Sequence, residues 1–271
     1  DLPTFGSPTI PIDNAIDSII TERYVNGMHY STDDVKKLGT ILGIWAHPDD
    51  EVFSSAGLMK AASENGQKII STTATYGDAG QSADENKWPK EQLADIRKAE
   101  SDKALRLLGN IEQHWLGYKD GKLKEVSIDK AVENILYVIA NQKIDTIITF
   151  EEQGITGHED HKTVYVWALK LARLLKDVRV LCAVENTEFY ENFGKKLHEK
   201  YNVYFNVNKP FVSSKNEVDV CLELSNTLKE AKLSALEMHA SQTSGMLGTK
   251  EGVEALNSLA GCECFVFLKA V

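Results

Sequence analysis

Four ligand-grade side chains, His47, Asp49, Asp50 and Glu51, fall within five residues of the segment Gly43-Ile44-Trp45-Ala46-His47-Pro48-Asp49-Asp50-Glu51. One imidazole among three carboxylates concentrates like charge, which is costly unless a cation or hydrogen-bond donors compensate it. A divalent metal ion answers that need, and the N/O donor set suits Zn2+, with Fe2+, Mn2+ or Co2+ also accepted. The alternative is a solvated acidic turn in which Asp49 or Asp50 caps the next helix. A second group, His158-Glu159-Asp160-His161, follows Gln153-Gly154-Ile155-Thr156-Gly157. Its histidines are three apart at a helix start and share a face, so one can bind metal while the other faces a substrate. The spacing leaves open which does which.

Both groups sit between an apolar run and a helical pattern. Leu38 to Ala46 reads as a buried strand that Pro48 stops, and a helix runs from Val52 to near Asn65-Gly66. Ile144 to Phe150 reads as another strand, and the pattern Val164, Trp167, Ala168, Leu171, Leu175 as the helix after the second group. Further strands are predicted at 68–75, 111–116, 178–184 and 262–268, and helices at 91–108, 128–141 and 225–239. This alternation predicts an α/β fold, a Rossmann-like, mostly parallel sheet flanked by helices. Both groups then lie at the carboxyl ends of strands, where open sheets bind ligands. The G-x-G-x-x-G fingerprint is absent after the first strand, so a nicotinamide cofactor is not expected. Residues 1–37 read as an N-terminal arm packing on a domain of residues 38–271, with a short helix over Asn14 to Tyr24. The aromatic-rich stretch from Glu185 to Val218 admits a lid, a homo-oligomer surface or ordinary core, and core is the expectation.

The 271 residues are 42% hydrophobic, enough for a sizeable core. A net charge of -10 and the absence of a basic, aromatic-interleaved cluster argue against nucleic acid. No apolar run reaches the about 20 residues of a membrane span. Cys182, Cys221, Cys262 and Cys264 show neither zinc-knuckle spacing nor a disulfide framework, so buried thiols and a cytoplasmic location are expected, with a cleaved leader left open. Arg97 and Glu100 could form a surface pair worth little, and His239 closes a helix whose dipole favours it.

The motif Ala46 to Glu51 together with His158-Glu159-Asp160-His161 resembles the LmbE-like, or PIG-L, family of metal-dependent N-deacetylases. Thr75-Tyr76-Gly77-Asp78-Ala79-Gly80, Arg97 with Glu100, Leu116-Gly117-Tyr118-Lys119-Asp120-Gly121 and His239-Ala240-Ser241-Gln242 are lesser matches. The resemblance runs from about Leu38 onward and weakens between Glu185 and Val218. It implies one Zn2+ held by His47, Asp50 and His161, and Asp49 as general base. It also implies His158 as oxyanion stabiliser or acid with Asp160 tuning an imidazole, and substrate contacts from Arg97 and His239. A histidine flanked by carboxylates is expected to have its pKa held up. The implied activity is hydrolysis of the acetamide of an N-acetylated amino sugar or glycoconjugate. The alternatives are an amidase acting on a thiol conjugate or a longer N-acyl group, and a non-catalytic binding homologue.

Overall fold

The computed structural model describes residues 22–23, 28–140, 142–204, 207 and 210–269. Strands β1 (Glu22–Arg23), β2 (Met28–Tyr30), β3 (Ile41–Trp45) and β4 (Ile69–Thr75) are followed by β5 (Ile111–Tyr118), β6 (Thr146–Phe150) and β7 (Arg179–Asn186). Then come β8 (Val212–Ser213), β9 (Val220–Glu223) and β10 (Cys262–Lys269). Helices α1 (Asp50–Glu64), α2 (Leu93–Leu108), α3 (Ile128–Ile139), α4 (Gly154–Gly157) and α5 (Glu159–Leu175) alternate with the central strands. Two short pieces, α6 (Thr187–Phe189) and α7 (Lys195–Tyr201), precede α8 (Asn226–Met238), α9 (Ala240–Leu247) and α10 (Lys250–Leu259).

Strands β3, β4 and β6 are buried along their whole length, as a parallel sheet covered by helices on both faces requires. The order β7-β6-β3-β4-β5 is parallel throughout. The chain runs outward from β3 through β4 to β5, then returns to the other side of β3 with β6. That reversal opens a crevice between the carboxyl ends of β3 and β6, the place where such sheets bind ligands. Both polar groups picked out in the sequence follow these two strands.

The predicted alternation is therefore present, with additions. Strand β10 joins antiparallel to both β7 and β9, and β2 extends the sheet beyond β9. Helices α9 and α10, not among the predicted elements, follow the predicted helix. The helix expected over 14–24 lies outside the described residues except for Glu22–Arg23, which pair with β10 instead. Val35 and Leu38, in a 3-10 turn, enter the main core.

Helix α1 is broken at Ser55 (φ -148°, ψ 18°), which removes normal intrahelical partners around the break. Glu263 on β10 accepts from the amides of Gly57 and Leu58, both at 2.8 Å. Lys232 of α8 donates to the Phe53 carbonyl at 2.8 Å and to Glu263 at 2.8 Å. The pair is buried, with side chains 1% exposed on each partner. Removing one member leaves an uncompensated buried charge, whereas an exposed pair such as Lys68 with Glu112 is screened by water. Lys232→Ala is therefore expected to cost about 3–5 kcal/mol in urea unfolding, and Lys68→Ala under about 1 kcal/mol. Equal losses would remove the pair from its proposed role in holding α1.

Candidate active site

The turn after β3 is tied by Asp50. Its Oδ2 accepts from the amides of Ala46 (3.0 Å) and His47 (2.7 Å). To close this loop at the start of α1, Asp49 adopts φ 103°, a conformation that side chains with a Cβ disfavour and that concentrates at functional sites. After β6, Glu151 accepts from the amides of Gln153 and Ile155, both at 2.7 Å, and Ile155 is held at φ 57°. Gly154 has φ 69°, and a Cβ there would stand 2.5 Å from the Cβ of His161, so only glycine lets the turn approach α5.

These turns bring the donor atoms of three side chains together, Asp50 offering one oxygen to each histidine. His47 Nδ1 lies 3.2 Å from His161 Nε2 and 3.7 Å from Asp50 Oδ2, and His161 Nε2 lies 3.3 Å from Asp50 Oδ1. Donors on one tetrahedral ion at 2.0–2.2 Å are separated by about 3.3–3.6 Å, so the triangle has the size of one face of such a site. Both histidines are oriented from behind. His161 Nδ1 bonds to the Gly154 carbonyl at 2.9 Å, and Phe150 stacks on the ring at 4.1 Å. His47 Nε2 faces Asp120 Oδ1 at 3.0 Å and Asp160 Oδ2 at 3.4 Å. Each ring thus has its outer nitrogen engaged by a protein oxygen and its inner nitrogen turned to the centre, the arrangement that prepares imidazole for a metal. His158 also lies within reach, one nitrogen falling with His47 and His161 in a group spanning no more than 4.8 Å.

Charge at the site follows from these contacts. Burial alone would push His47 down, but its hydrogen bonds to Asp120 and Asp160 outweigh it and hold the imidazole at about 10. Burial raises Asp49 to about 6 against the opposing pull of Arg97. Asp50 is held below the ordinary carboxylate range because His161 and His47 overcome its burial. Glu51, buried against Ser101 at 2.8 Å, is pushed up to about 8 by desolvation and stays outside the donor triangle. His158 differs from expectation. Burial, then His47 and His161, lower it to about 4, because the Asp160 carboxylate turns away toward His47 and the amides of Gly121 and Leu123. The backbone N–H of Asp160 donates to His158 Nδ1 at 3.0 Å, which places the ring proton on Nε2.

Arg97 is also placed differently from a simple substrate contact. It lines the cavity, but its guanidinium donates to the carbonyls of Gly77 (3.0 Å) and Pro48 (2.7 Å) and to Asp49 Oδ2 (3.1 Å). It does not pair with Glu100, which caps α9 by accepting from the Ser241 amide (2.8 Å) and hydroxyl (2.6 Å). His239 is fully buried and absent from the cavity wall, with neither ring nitrogen partnered among the described residues. Burial and the Arg97 charge lower it to about 3, so it stands behind Arg97 as a neutral imidazole. The resemblance implied a substrate contact for His239; in this structure it lies off the cavity wall.

The donor triangle opens on a cavity of about 800 Å³ whose near wall includes Asp49, Arg97 and His158. Its far wall comes from β7, β10 and the aromatic-rich stretch, including Phe189 and Tyr204. Residues 42–172 match the family model described as PIG-L, GlcNAc-PI de-N-acetylase. That match spans just under half of the chain.

The chain has relatives of known name at modest identity. A 1D-myo-inositol 2-acetamido-2-deoxy-alpha-D-glucopyranoside deacetylase 1 from Catenulispora acidiphila is 26% identical over 162 residues, 51% of this chain and 49% of the relative. The matching region thus spans about half the length of that protein. A probable N-acetyl-alpha-D-glucosaminyl L-malate deacetylase 2 from Bacillus cereus is 27% identical over 211 residues, covering 76% of this chain and 85% of the relative. The solved N,N'-diacetylchitobiose deacetylase from Pyrococcus horikoshii shares the fold, with a TM-score of 0.57, 21% identity and coverage of 86% and 84%.

One member of the site had no role assigned from sequence, Asp120. It arrives from the turn after β5, where Tyr118-Lys119-Asp120-Gly121 read as a turn and as a lesser match of the resemblance, and its Oδ2 also accepts from Ala79 at 2.8 Å. The strained backbone offers a direct test. Asp49→Gly and Asp49→Ala both delete the carboxylate, but only glycine accepts φ 103° freely. The glycine variant should unfold at higher denaturant, by roughly 1 kcal/mol. A more stable alanine variant would show that Asp49 is not strained in solution.

Proposed function

We propose that this chain is a zinc-dependent N-deacetylase that hydrolyses the acetamide of an N-acetylated amino sugar or glycoconjugate. The observation that carries the reading is the buried triangle of His47 Nδ1, His161 Nε2 and Asp50, with Asp49 on the cavity side. His47, Asp50 and His161 would hold the ion, and two nitrogens with one carboxylate suit Zn2+. When bound, the ion supplies Lewis acidity and lowers the pKa of water to about 7.

The residues around it divide the remaining work. Asp49 accepts a proton from the attacking water and returns it to the departing amine nitrogen. Arg97 is its positioning residue, since one guanidinium ties the Asp49 carboxylate to the Pro48 and Gly77 carbonyls. His158 donates from Nε2 to the acetamide oxygen as negative charge develops there. A neutral donor pre-aimed at that oxygen lowers the barrier without reorganising. Asp120 and Asp160 keep a His47 proton on Nε2, so that Nδ1 is the nitrogen that would give up its proton and serve as a ligand.

The names of the relatives support the substrate class, because both proteins described above are named as deacetylases of glucosaminyl compounds. The cavity is large enough for a sugar with an attached group. The four free cysteines support a reducing, cytoplasmic setting. No described helix is long and apolar enough to cross a membrane.

Acetate release from a panel of N-acetylated amino sugars and their conjugates, with and without chelator, tests the reading. Chelator-sensitive release is expected, and zinc-loaded protein that releases no acetate from any member would refute it. Zinc content separates the residues. Asp50→Ala should lose the ion, Asp120→Ala should weaken zinc affinity about 10–100-fold, and Asp49→Ala should keep zinc while losing most turnover. Unchanged zinc affinity in Asp120→Ala would remove Asp120 from its supporting role.

A further inference from the structure

A second group of ligand atoms lies on the far wall of the cavity. Cys221 of β9 and Cys264 of β10 are directly paired across the antiparallel ladder, and Cys262 lies two residues before Cys264 on the same face. Their sulfurs all fall within 4.8 Å of one another, and Cys264 Sγ is 3.9 Å from Cys221 Sγ. Thiolates bound to one tetrahedral ion at 2.3 Å are about 3.8 Å apart. The ladder alone thus sets the sulfurs near ligand spacing.

A neighbouring side chain is aimed at the same point. Asn186 closes β7, and its Oδ1 accepts from the amides of Glu188 (2.8 Å) and Phe189 (3.2 Å). Two backbone donors fix which end of the amide is oxygen. The NH2 group must therefore face the sulfurs, and Nδ2 lies 3.4 Å from Cys264 Sγ and 3.8 Å from Cys262 Sγ. N–H donors directed at sulfur stabilise thiolate over thiol and are a regular part of thiolate metal sites. S–H donation from Cys221 and Cys264 pulls the Cys262 thiol down against its burial, and the positive charge of Lys215, on the cavity wall, adds to this.

We propose that Cys221, Cys262 and Cys264 form a three-thiolate site for a soft d10 metal ion, separate from the His47–Asp50–His161 centre. Three sulfur ligands select soft or borderline ions over Mg2+ or Ca2+. Binding releases the thiol protons to solvent. Cys262 and Cys264 both line the cavity, so a fourth ligand is drawn from water or from a bound molecule. The acidic neighbour Glu263 takes no part, because its side chain leaves the opposite face of β10 toward Lys232 and α1.

Cadmium alone is the probe, added to reduced, chelator-stripped protein and followed by the ultraviolet thiolate-to-cadmium charge-transfer band. Histidine and carboxylate ligands give no such band, so the first centre stays silent even if it also takes cadmium. The expected result is a band that saturates at one equivalent and falls to background in Cys264→Ser. A second measurement needs no variant: zinc should protect Cys262, the least buried of the three, from alkylation by iodoacetamide in the unaltered protein. Cadmium binding without the band, a band unchanged in Cys264→Ser, or equal alkylation with and without zinc would each overturn the site. A Cys221–Cys264 disulfide in protein purified without oxygen would do the same.

Discussion

The Asp50 carboxylate is the contact around which this molecule is arranged. A buried carboxylate must find donors or be protonated. Here it finds the amides of Ala46 and His47 on one side and two imidazoles on the other. One group thereby ends β3, starts α1 and turns both histidines inward. The reversal of strand order between β3 and β6 supplies the crevice, and the positive φ of Asp49 is the cost of closing so short a loop inside it.

Much of this was legible in the sequence because the determining signals are local. The apolar runs of β3, β4 and β6 are buried throughout, and the alternation with helices implied the parallel sheet. Both His/Asp turns fall where the pattern placed them. Partnerships made by tertiary contact were not legible. Asp120 reaches His47 only because β5 returns its turn to the same sheet edge. Arg97 and Glu100, three apart on α2, read as a surface pair but serve different partners, one at Asp49 and one at the start of α9. His158 sits among carboxylates in the sequence, yet Asp160 directs its carboxylate elsewhere, so the shift reverses. Cys221 joins Cys262 and Cys264 only through the register of β9 on β10.

The cavity divides between two kinds of wall. The near wall is built at strand ends, where the backbone is held on both sides by the sheet, and it carries the groups proposed for the chemistry. Rigid elements hold such groups to the tolerances that reaction requires. The far wall includes Glu185, Phe189 and Tyr204. Burial lifts Glu185 to about 7, while the Tyr204 hydroxyl donates to it at 3.1 Å. These three residues come from the part of the chain where the resemblance is weakest. The expectation of ordinary core there becomes a boundary of the site, as befits a surface that selects among substrates sharing one reacting bond.

The plug at the break in α1 also constrains the order in which the molecule can be made. The amide of Gly57 finds its acceptor on Glu263, 206 residues later. During synthesis the first half of the chain can form its strands, but this helix carries unsatisfied groups until β10 has emerged and docked. A nascent chain therefore holds the turn at the start of α1 in an unfinished setting until that strand is made and docked.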